Sequence, residues 1–178
     1  MSINIIAAIS KNRVIGKAGK LPWYIPKDLK YFKEKTIGLN NAVLMGFNTW
    51  KSLPNYPEPL HDRGAFVITK NNAHLTRTNI YKEPPNYTDL KKIQNIYPNI
   101  WICGGELVYN HYINKPYIDK IYLTEIDMFI EGDTFFPEIP NNFINYIGVS
   151  HSHKLNAIQF ANYRFNIYAR KTEDIINE

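Results

Sequence analysis

The sequence predicts an α/β fold in which a mostly parallel sheet gains an antiparallel strand pair near the C-terminus. Short runs of β-branched and aromatic residues, which are typical of strands, recur along the chain. Helical patterns fall between the early runs, whereas the final part of the chain carries strand patterns alone. Alternating strands and helices favour a parallel sheet, and a strand-only end favours antiparallel pairing.

The individual elements are short apolar runs and amphipathic segments separated by turn residues. The first helix opens at Pro26, and Leu29, Phe32 and Thr36 share one of its sides at helical spacing. A proline cluster in LPNYPEPLHDR indicates a long surface loop rather than a domain boundary. The predicted strands are 3–10, 41–46, 64–69, 99–105, 120–126 and 161–170. The predicted helices are 26–36, 48–53, 88–96 and 106–113.

Composition limits the class of protein. With 44% apolar and 14% aromatic residues among 178, the chain is too apolar to be disordered and long enough for a proper core. We expect one domain over 1–170 and a polar tail over 171–178. The single cysteine, Cys103, excludes an intrachain disulfide, and no Cys and His spacing fits a zinc site. A reducing, cytoplasmic location without a bound metal is therefore expected.

Charge and hydropathy indicate the kind of partner. No apolar run approaches the roughly 18 residues that a membrane span needs, and the N-terminus lacks a basic region and a cleavage site. The net charge is +5, with lysines scattered outside any basic block or RNA-binding aromatic motif. A polyphosphorylated or polycarboxylated small molecule is thus a better predicted partner than nucleic acid or a membrane. No long apolar patch is visible, so a monomer is expected.

Asp28 interrupts the apolar stripe of the first helix. It falls on the side that should face the core, four residues before Phe32. An acid in a first turn can stabilise the helix dipole, or it can project into a ligand pocket. The helix alone favours the dipole explanation.

Two junctions lead from a strand through glycine directly into a helix. In MGFNTW an apolar strand reaches Gly46, and Asn48 or Thr49 is predicted near the cap of the next helix. In IWICGGELVY a buried strand ends at Gly104 and Gly105. Free backbone N–H groups and the positive end of a helix dipole make such junctions natural seats for phosphate. Ligands of open α/β sheets lie at the carboxyl ends of strands, although the full G-x-G-x-x-G fingerprint is absent here.

The segment NRVIGKAGKLPW, residues 12–23, follows the first strand. It contains two glycines and three lysines or arginines, and it ends on an aromatic residue. Because it is too polar for the core, we expect either a mobile lid or a plain surface loop, and the residues alone favour neither.

Together these pieces resemble dihydrofolate reductase over essentially the whole chain. The matching segments, in order, are IAAISKNRVIGKAGKLPW, DLKYFK, MGFNTW, IWICGGELVY, YLTEID and EGDTFFP. The resemblance implies a three-layer fold with a central, mostly parallel eight-stranded sheet, an antiparallel C-terminal strand pair and about four flanking helices. It also implies NADPH-dependent reduction of 7,8-dihydrofolate to 5,6,7,8-tetrahydrofolate, by hydride transfer to C6 and protonation of N5. Such a reaction supports one-carbon metabolism and thymidylate synthesis.

The resemblance also assigns expected roles. Asp28 matches a first-helix carboxylate that accepts hydrogen bonds from the adjacent N–H and exocyclic amine of the pterin, and Thr124 is expected to bond it directly or through water. Arg63 matches an arginine that forks onto the α-carboxylate of the glutamate tail. Catalytic roles are implied for Asp28, Trp23, Leu21, Thr124 and Tyr109. Contacts with dihydrofolate or antifolate-type molecules are implied for Ile6, Ala8, Asp28, Leu29, Phe32, Lys33, Leu53, Leu60, Arg63 and Thr124. Contacts with NADPH are implied for Ala8, Ile15, Gly16, Lys17, Gly19, Gly46, Phe47, Asn48, Thr49, Thr69, Lys70, Asn71, Lys82, Cys103, Gly104, Gly105, Glu106, Leu107, Val108, Tyr109 and Thr134.

The chain departs from the family pattern at three places. Phe47 replaces the usual Arg or Lys, Glu106 replaces a third glycine, and the loop before Arg63 is long and lacks the common PGR. Phe47 is expected to stack on the adenine and Lys70 to be the main cation for the 2′-phosphate. We therefore expect a narrower preference for NADPH over NADH than is usual in the family.

Two other functions share some of these features. A pyrimidine reductase of riboflavin synthesis has the same fold but is expected to lack the first-helix carboxylate and the LPW lid. A non-catalytic nucleotide-binding or RNA-binding module would use the basic surface and would not oxidise NADPH with folate. Several aromatic residues are predicted to be core and need no function: Trp50, Trp101, Phe66 and Phe165.

Overall fold

The computed structural model describes residues 1–54, 56, 60–70, 78–154 and 160–171. The strands are β1 (Ser2–Ser10), β2 (Val14–Gly16), β3 (Asn41–Gly46), β4 (Gly64–Ile68), β5 (Asn79–Tyr81), β6 (Asn99–Ile102), β7 (Lys120–Ile126), β8 (Thr134–Phe135), β9 (Phe143–Lys154) and β10 (Phe160–Arg170). The helices are α1 (Pro26–Thr36), α2 (Phe47–Ser52), α3 (Tyr87–Gln94) and α4 (Glu106–Tyr112).

An eight-stranded sheet with the order β5-β4-β3-β6-β1-β7-β10-β9 forms the centre of the molecule. The strands from β5 to β7 pair in parallel, because helical or long connections return the chain to the same edge. β10 pairs antiparallel with both β7 and β9. The predicted α/β class, with a mostly parallel sheet and an antiparallel C-terminal pair, is confirmed.

Each face of the sheet carries its own hydrophobic cluster, so the molecule has three layers. Ile5 and Ile9 of β1 pack with buried residues of α3 and α4, such as Leu90 and Tyr112. Ile6 points to the opposite face and packs in a second cluster, which α1 and α2 cover. This alternation along β1 follows from the two-residue period of a strand. The second face is the one that carries Asp28.

The structure corrects the prediction for residues 12–23. Val14 is fully buried, and β2 pairs with β8 in a small second sheet, so this part of the segment is not too polar for the interior. The prediction failed because the lysines and glycines that surround Val14 dominate the composition of the segment.

Several other elements differ from their predictions. β9 was not predicted, because its polar second half weakens the strand pattern, and polar residues are common in a strand at the edge of a sheet. α2 begins at Phe47 with Gly46 as its N-cap, so Asn48 and Thr49 lie near the cap as predicted, although neither side chain caps the helix. Trp50, Trp101 and Phe66 are core residues as predicted, whereas Phe165 is only half-buried.

Of the tail over 171–178, residues 172–178 lie outside the described part of the chain. No helix in the described ranges is long and apolar enough to cross a membrane.

Candidate active site

A buried carboxylate marks the centre of the candidate site. Asp28 lies in the first turn of α1, and only 9% of its surface is exposed. Thr124, on β7, donates a hydrogen bond from Oγ1 to Asp28 Oδ1 over 2.6 Å. Burial raises the pKa of the Asp28 carboxyl, and the hydrogen bond from Thr124 lowers it in part. The remaining lone pairs of the carboxylate leave it able to accept hydrogen bonds from a ligand.

The sheet under α1 presents a row of three residues in register. Ala8 of β1 and Phe165 of β10 both pair with Thr124 of β7, and side chains in register share one face of a sheet. The ring of Phe165 stacks on that of Tyr31 in α1, with centroids 4.1 Å apart. Burial raises the pKa of Tyr31 to about 12, so its phenol stays neutral beside Asp28. Apolar and aromatic groups thus surround the carboxylate.

Trp23 lies just before α1 in the chain. It packs against a small buried cluster of Ile25, Ile126 and Tyr163. Its indole Nε1 is buried without a hydrogen-bond acceptor among the described residues. A buried N–H without a partner costs free energy, so the packing of the Trp23 ring has to offset this cost.

The second cluster and the residues packed against it include four of the six predicted apolar substrate contacts. Ile6 is buried in that cluster. Phe32, Leu53 and Leu60 are partly buried and pack against it. Leu29 was predicted on the core-facing stripe of α1, but 38% of its surface is exposed. Seven residues are close to two helical turns, so Leu29 lies on the same side of α1 as the buried Thr36, and its exposure means that this side is less covered in the first turn of the helix than at its end.

Arg63 is the second charged group of the site. It is half-buried, and its Nε donates to the backbone oxygen of His61 over 3.0 Å. Its Nη1 donates to Thr36 Oγ1, at the end of α1. Burial lowers the pKa of the guanidinium, which nevertheless stays charged. Among the described residues no carboxylate forms an ion pair with Arg63, and the other predicted cation of this region, Lys33, is exposed.

The two glycine junctions meet at the carboxyl ends of β3 and β6. The N–H of Gly46 donates to the oxygen of Gly104 over 2.7 Å. Gly104 has a φ of +114° and precedes a cis bond to Gly105, and an added Cβ on Gly104 would lie 3.1 Å from the Tyr109 hydroxyl. An added Cβ on Gly105 would lie 3.2 Å from Thr49 Oγ1. Side chains are therefore poorly tolerated where the predicted cofactor surface lies.

Side chains behind these junctions are buried. Tyr109 donates its hydroxyl to the oxygen of Ile6 over 2.8 Å, which ties α4 to β1. Cys103 is buried, and burial raises the pKa of its thiol, as expected for an inert cysteine. Val108 belongs to the first cluster. Leu107, by contrast, is 85% exposed on α4.

The segment after β1 is fastened to the chain around β8. Lys17 Nζ lies 2.7 Å from Glu131 Oε2, and the N–H of Ala18 donates to Asp133 Oδ2 over 2.7 Å. The N–H of Asp133 in turn donates to the oxygen of Gly16. Ile15 packs partly against the first cluster, Gly16 pairs with Thr134, and Leu21 is half-exposed. The predicted lid thus consists of β2 and a turn that are bonded to the chain around β8, followed by Trp23, which packs against a buried cluster.

The predicted 2′-phosphate contacts lie beyond β4. Lys70 Nζ is 3.3 Å from Glu83 Oε1, and both side chains are exposed. Lys82 Nζ donates to the backbone oxygen of Lys70 over 3.4 Å, and Thr69 is buried. Phe47 packs its ring partly against the second cluster. The predicted cofactor contact Asn71 lies outside the described residues.

Glu106 and Gly19 are two further residues that were predicted to contact the cofactor. Glu106 accepts a hydrogen bond from the N–H of Phe135 over 3.4 Å, which links α4 to β8. Gly19 has a φ of +73°, which a turn beside Lys17 requires. In the part of the chain that the structure describes, no group of three His, Cys, Asp or Glu side chains could hold a metal ion.

Five residues of the site were missed in the sequence. Tyr31 lies three residues after Asp28 in α1, so helical spacing was the available indication for it. Tyr163 reaches Asp28 from β10, a distant part of the chain, for which no local pattern exists. Thr36 was taken as one residue of an apolar stripe. Asp133 lies in the segment EGDTFFP, one of the segments that resemble dihydrofolate reductase, so this motif could have indicated that Asp133 belongs to the site. Glu83 carried none.

Comparison with known proteins identifies the family. The family model of dihydrofolate reductase matches residues 2–170. The dihydrofolate reductase of Buchnera aphidicola is 39% identical over 138 residues, which cover 78% of this chain and 80% of that protein. The viral dihydrofolate reductase of Saimiriine herpesvirus 2 is 34% identical over 191 residues, which cover 98% and 86%. A similar solved structure is that of dihydrofolate reductase from Enterococcus faecalis complexed with NADP(H) and RAB-propyl. The two structures superpose with a TM-score of 0.80 at 31% sequence identity, and the alignment covers 96% of this chain and 97% of that one. The chain belongs to the dihydrofolate reductase family.

Proposed function

We propose that this chain catalyses the NADPH-dependent reduction of 7,8-dihydrofolate to 5,6,7,8-tetrahydrofolate, and that Asp28 is its central catalytic residue. The observation that carries the proposal is a buried carboxylate, fixed by Thr124, on the helix that covers the second hydrophobic cluster. A pterin ring offers an N–H and an exocyclic amine side by side, and one carboxylate accepts from both. A ring bound this way stabilises the charged form of Asp28, which burial alone disfavours.

Arg63 binds the other end of the substrate in this proposal. Its guanidinium has no carboxylate partner among the described residues, and an α-carboxylate matches its fork geometry. The walls between Asp28 and Arg63 are Ile6, Phe32, Leu53 and Leu60, which suit an aromatic ring.

The glycine junctions and the lid segment fit a dinucleotide. An added Cβ at Gly104 or Gly105 would lie 3.1 Å from the Tyr109 hydroxyl or 3.2 Å from Thr49 Oγ1, so glycine lets the chain pack closely where we place the cofactor. Lys70 is the proposed contact for the 2′-phosphate. When bound, NADPH supplies the hydride for C6 of the substrate. The protein contributes no covalent nucleophile in this proposal: it orients the ring, excludes water and lets the proton for N5 enter past Trp23.

The domain, location and oligomeric state belong to the same proposal. Residues 1–170 would form one catalytic domain with a short tail over 171–178. A buried neutral thiol at Cys103 and the absence of a second cysteine agree with a reducing, cytoplasmic enzyme. We expect a monomer, which sedimentation of the full chain tests directly.

The test of the activity is the oxidation of NADPH, followed at about 340 nm, with and without dihydrofolate. We expect a decrease in absorbance that requires both compounds and that Asp28→Asn reduces strongly. A folded chain that binds NADPH but never oxidises it with dihydrofolate contradicts the proposal. Turnover of a pyrimidine intermediate of riboflavin synthesis in place of dihydrofolate would favour the related reductase.

A further inference from the structure

Thr36 is a fully buried polar side chain that connects α1 with the candidate arginine. It is the last residue of the helix, with 0% of its surface exposed. Its hydroxyl donates to the backbone oxygen of Phe32 over 2.8 Å, and the hydroxyl oxygen itself accepts from Arg63 Nη1. The single hydroxyl proton is thus used by the helix, so the oxygen faces Arg63 as an acceptor only.

A second set of contacts holds the chain around Arg63. Its Nε donates to the oxygen of His61, and the N–H of Gly38 donates to the oxygen of Asp62 over 2.9 Å. Asp62 has a φ of 59°, a left-handed conformation that turns the chain directly before the arginine. The end of α1 and the segment before β4 are therefore joined by backbone and side-chain bonds on both sides of Arg63.

These contacts leave a defined part of the guanidinium available. Among the described residues, two of its five N–H groups have acceptors, at Nε and at Nη1, and the other three are all on the two terminal nitrogens. Bonds at two different nitrogens fix both the position and the plane of a planar group. A carboxylate ligand then meets an arginine that has already lost its rotational freedom.

We propose that Thr36 is a positioning residue for substrate recognition: its buried hydroxyl orients Arg63 so that the free N–H groups grip the tail carboxylate of the substrate. This inference rests on the proposed function, because it takes Arg63 as the tail-binding residue. The simpler explanation is that Thr36 only completes the end of α1. The two explanations differ in what they predict for a ligand that lacks the tail.

The experiment compares folate with pteroate, which has the same rings but no glutamate. Thr36→Val keeps the shape of the side chain and removes both hydrogen bonds, and Thr36→Ser keeps the hydroxyl. We expect Thr36→Val to weaken folate binding about five- to fiftyfold, to leave pteroate binding within about twofold, and to raise KM for dihydrofolate more than it changes kcat. Thr36→Ser should retain the preference of the wild type for folate.

Two controls make the result decisive. Ser52→Ala removes a hydroxyl that bonds a carbonyl in its own helix, over 2.8 Å to Thr49, without touching an arginine, and it should not change the folate-to-pteroate ratio. In an Arg63→Ala background, Thr36→Val should add no further loss of folate affinity. The ratio of two affinities also cancels any change in the folded fraction.

Equal losses for folate and pteroate in Thr36→Val would overturn the proposal, as would a further loss of folate affinity in the Arg63→Ala background. NADPH oxidation by the wild-type enzyme with dihydrofolate is measured beside these titrations. Normal oxidation combined with equal losses means that the positioning role is wrong while the proposed activity stands.

Discussion

Asp28→Asn should remove activity and at the same time stabilise the free protein. Asparagine has nearly the same shape, and its Oδ1 can still accept from Thr124. Its amide nitrogen, however, presents a donor where a second acceptor is required. Two charge-assisted hydrogen bonds to the pterin, each worth roughly 1.5–3 kcal/mol, are weakened or lost. A loss of about 3–5 kcal/mol lowers kcat/KM by about 10²- to 10⁴-fold.

The sign of the stability change follows from the pKa of Asp28. Burial raises this pKa above 3.8, so the folded protein holds a proton that the unfolded chain releases as pH rises. Wild-type stability therefore decreases as pH rises from about 3.8 through the folded pKa, and the cost persists at neutral pH. The substituted asparagine does not titrate, so the variant should unfold at a higher temperature than the wild type at pH 7. This advantage should shrink below about pH 4.

The assay combines steady-state kinetics with thermal unfolding between pH 3 and pH 8. Asp89→Asn is the matched control, because Asp89 is also a first-turn acid but bonds to the N-cap residue Asn86 and to Lys92 near the surface. That variant should lose a little stability and no activity. If Asp28→Asn behaves like Asp89→Asn, Asp28 is only a helix-dipole acid and the assignment of the site is wrong.

Three further predictions concern the neighbouring charges. Arg63→Ala should weaken folate binding about ten- to hundredfold and leave NADPH binding intact, as measured by calorimetry with each ligand. Equal losses of affinity for both ligands would mean that Arg63 has only a structural role. Lys70→Ala should narrow the preference for NADPH over NADH, measured as a ratio of kcat/KM values, and Glu83→Gln should widen it, because Glu83 competes with the 2′-phosphate for Lys70. Equal changes of kcat/KM for both cofactors would mean that Lys70 does not contact the 2′-phosphate. Thr124→Val should move the acidic limb of the pH profile of kcat/KM to higher pH, because the variant loses the hydrogen bond that lowers the pKa of the Asp28 carboxyl. An acidic limb at the same pH as in the wild type would mean that this hydrogen bond does not set the pKa.

The fold was predictable where neighbouring residues decide the structure. β3 and β4 are short apolar runs that fit only a strand buried on both faces, and they appear at the predicted positions. β2 depends instead on pairing with β8, more than a hundred residues away, so its own sequence carries little of the information that determines it. β9 pairs with the neighbouring strand β10, but its polar second half lacks the apolar pattern of a strand.

The candidate site shows the same division. The pairing of Asp28 with Thr124 was expected because two motifs in register place both residues, and the structure contains that bond. Thr36 resembled an ordinary member of an apolar stripe, since nothing in the sequence shows that the oxygen of its side chain meets an arginine 27 residues away. The ion pair of Lys70 with Glu83 likewise depends on the path of the chain between β4 and β5.

The long sequence separation inside the site has a consequence for biogenesis. Asp28 and Thr124 are 96 residues apart, and Tyr109 and Ile6 are 103 residues apart. A chain leaving the ribosome from its N-terminus therefore exposes an unpartnered acid on α1 until β7 has been synthesised and has paired with β1. Ligands that grip Asp28 bind only chains that have completed this step. At a free concentration of about 100 times Kd, such a ligand stabilises the finished fold by about 2.7 kcal/mol, so folate-like compounds should rescue the cellular level of variants whose damage lies far from the cleft.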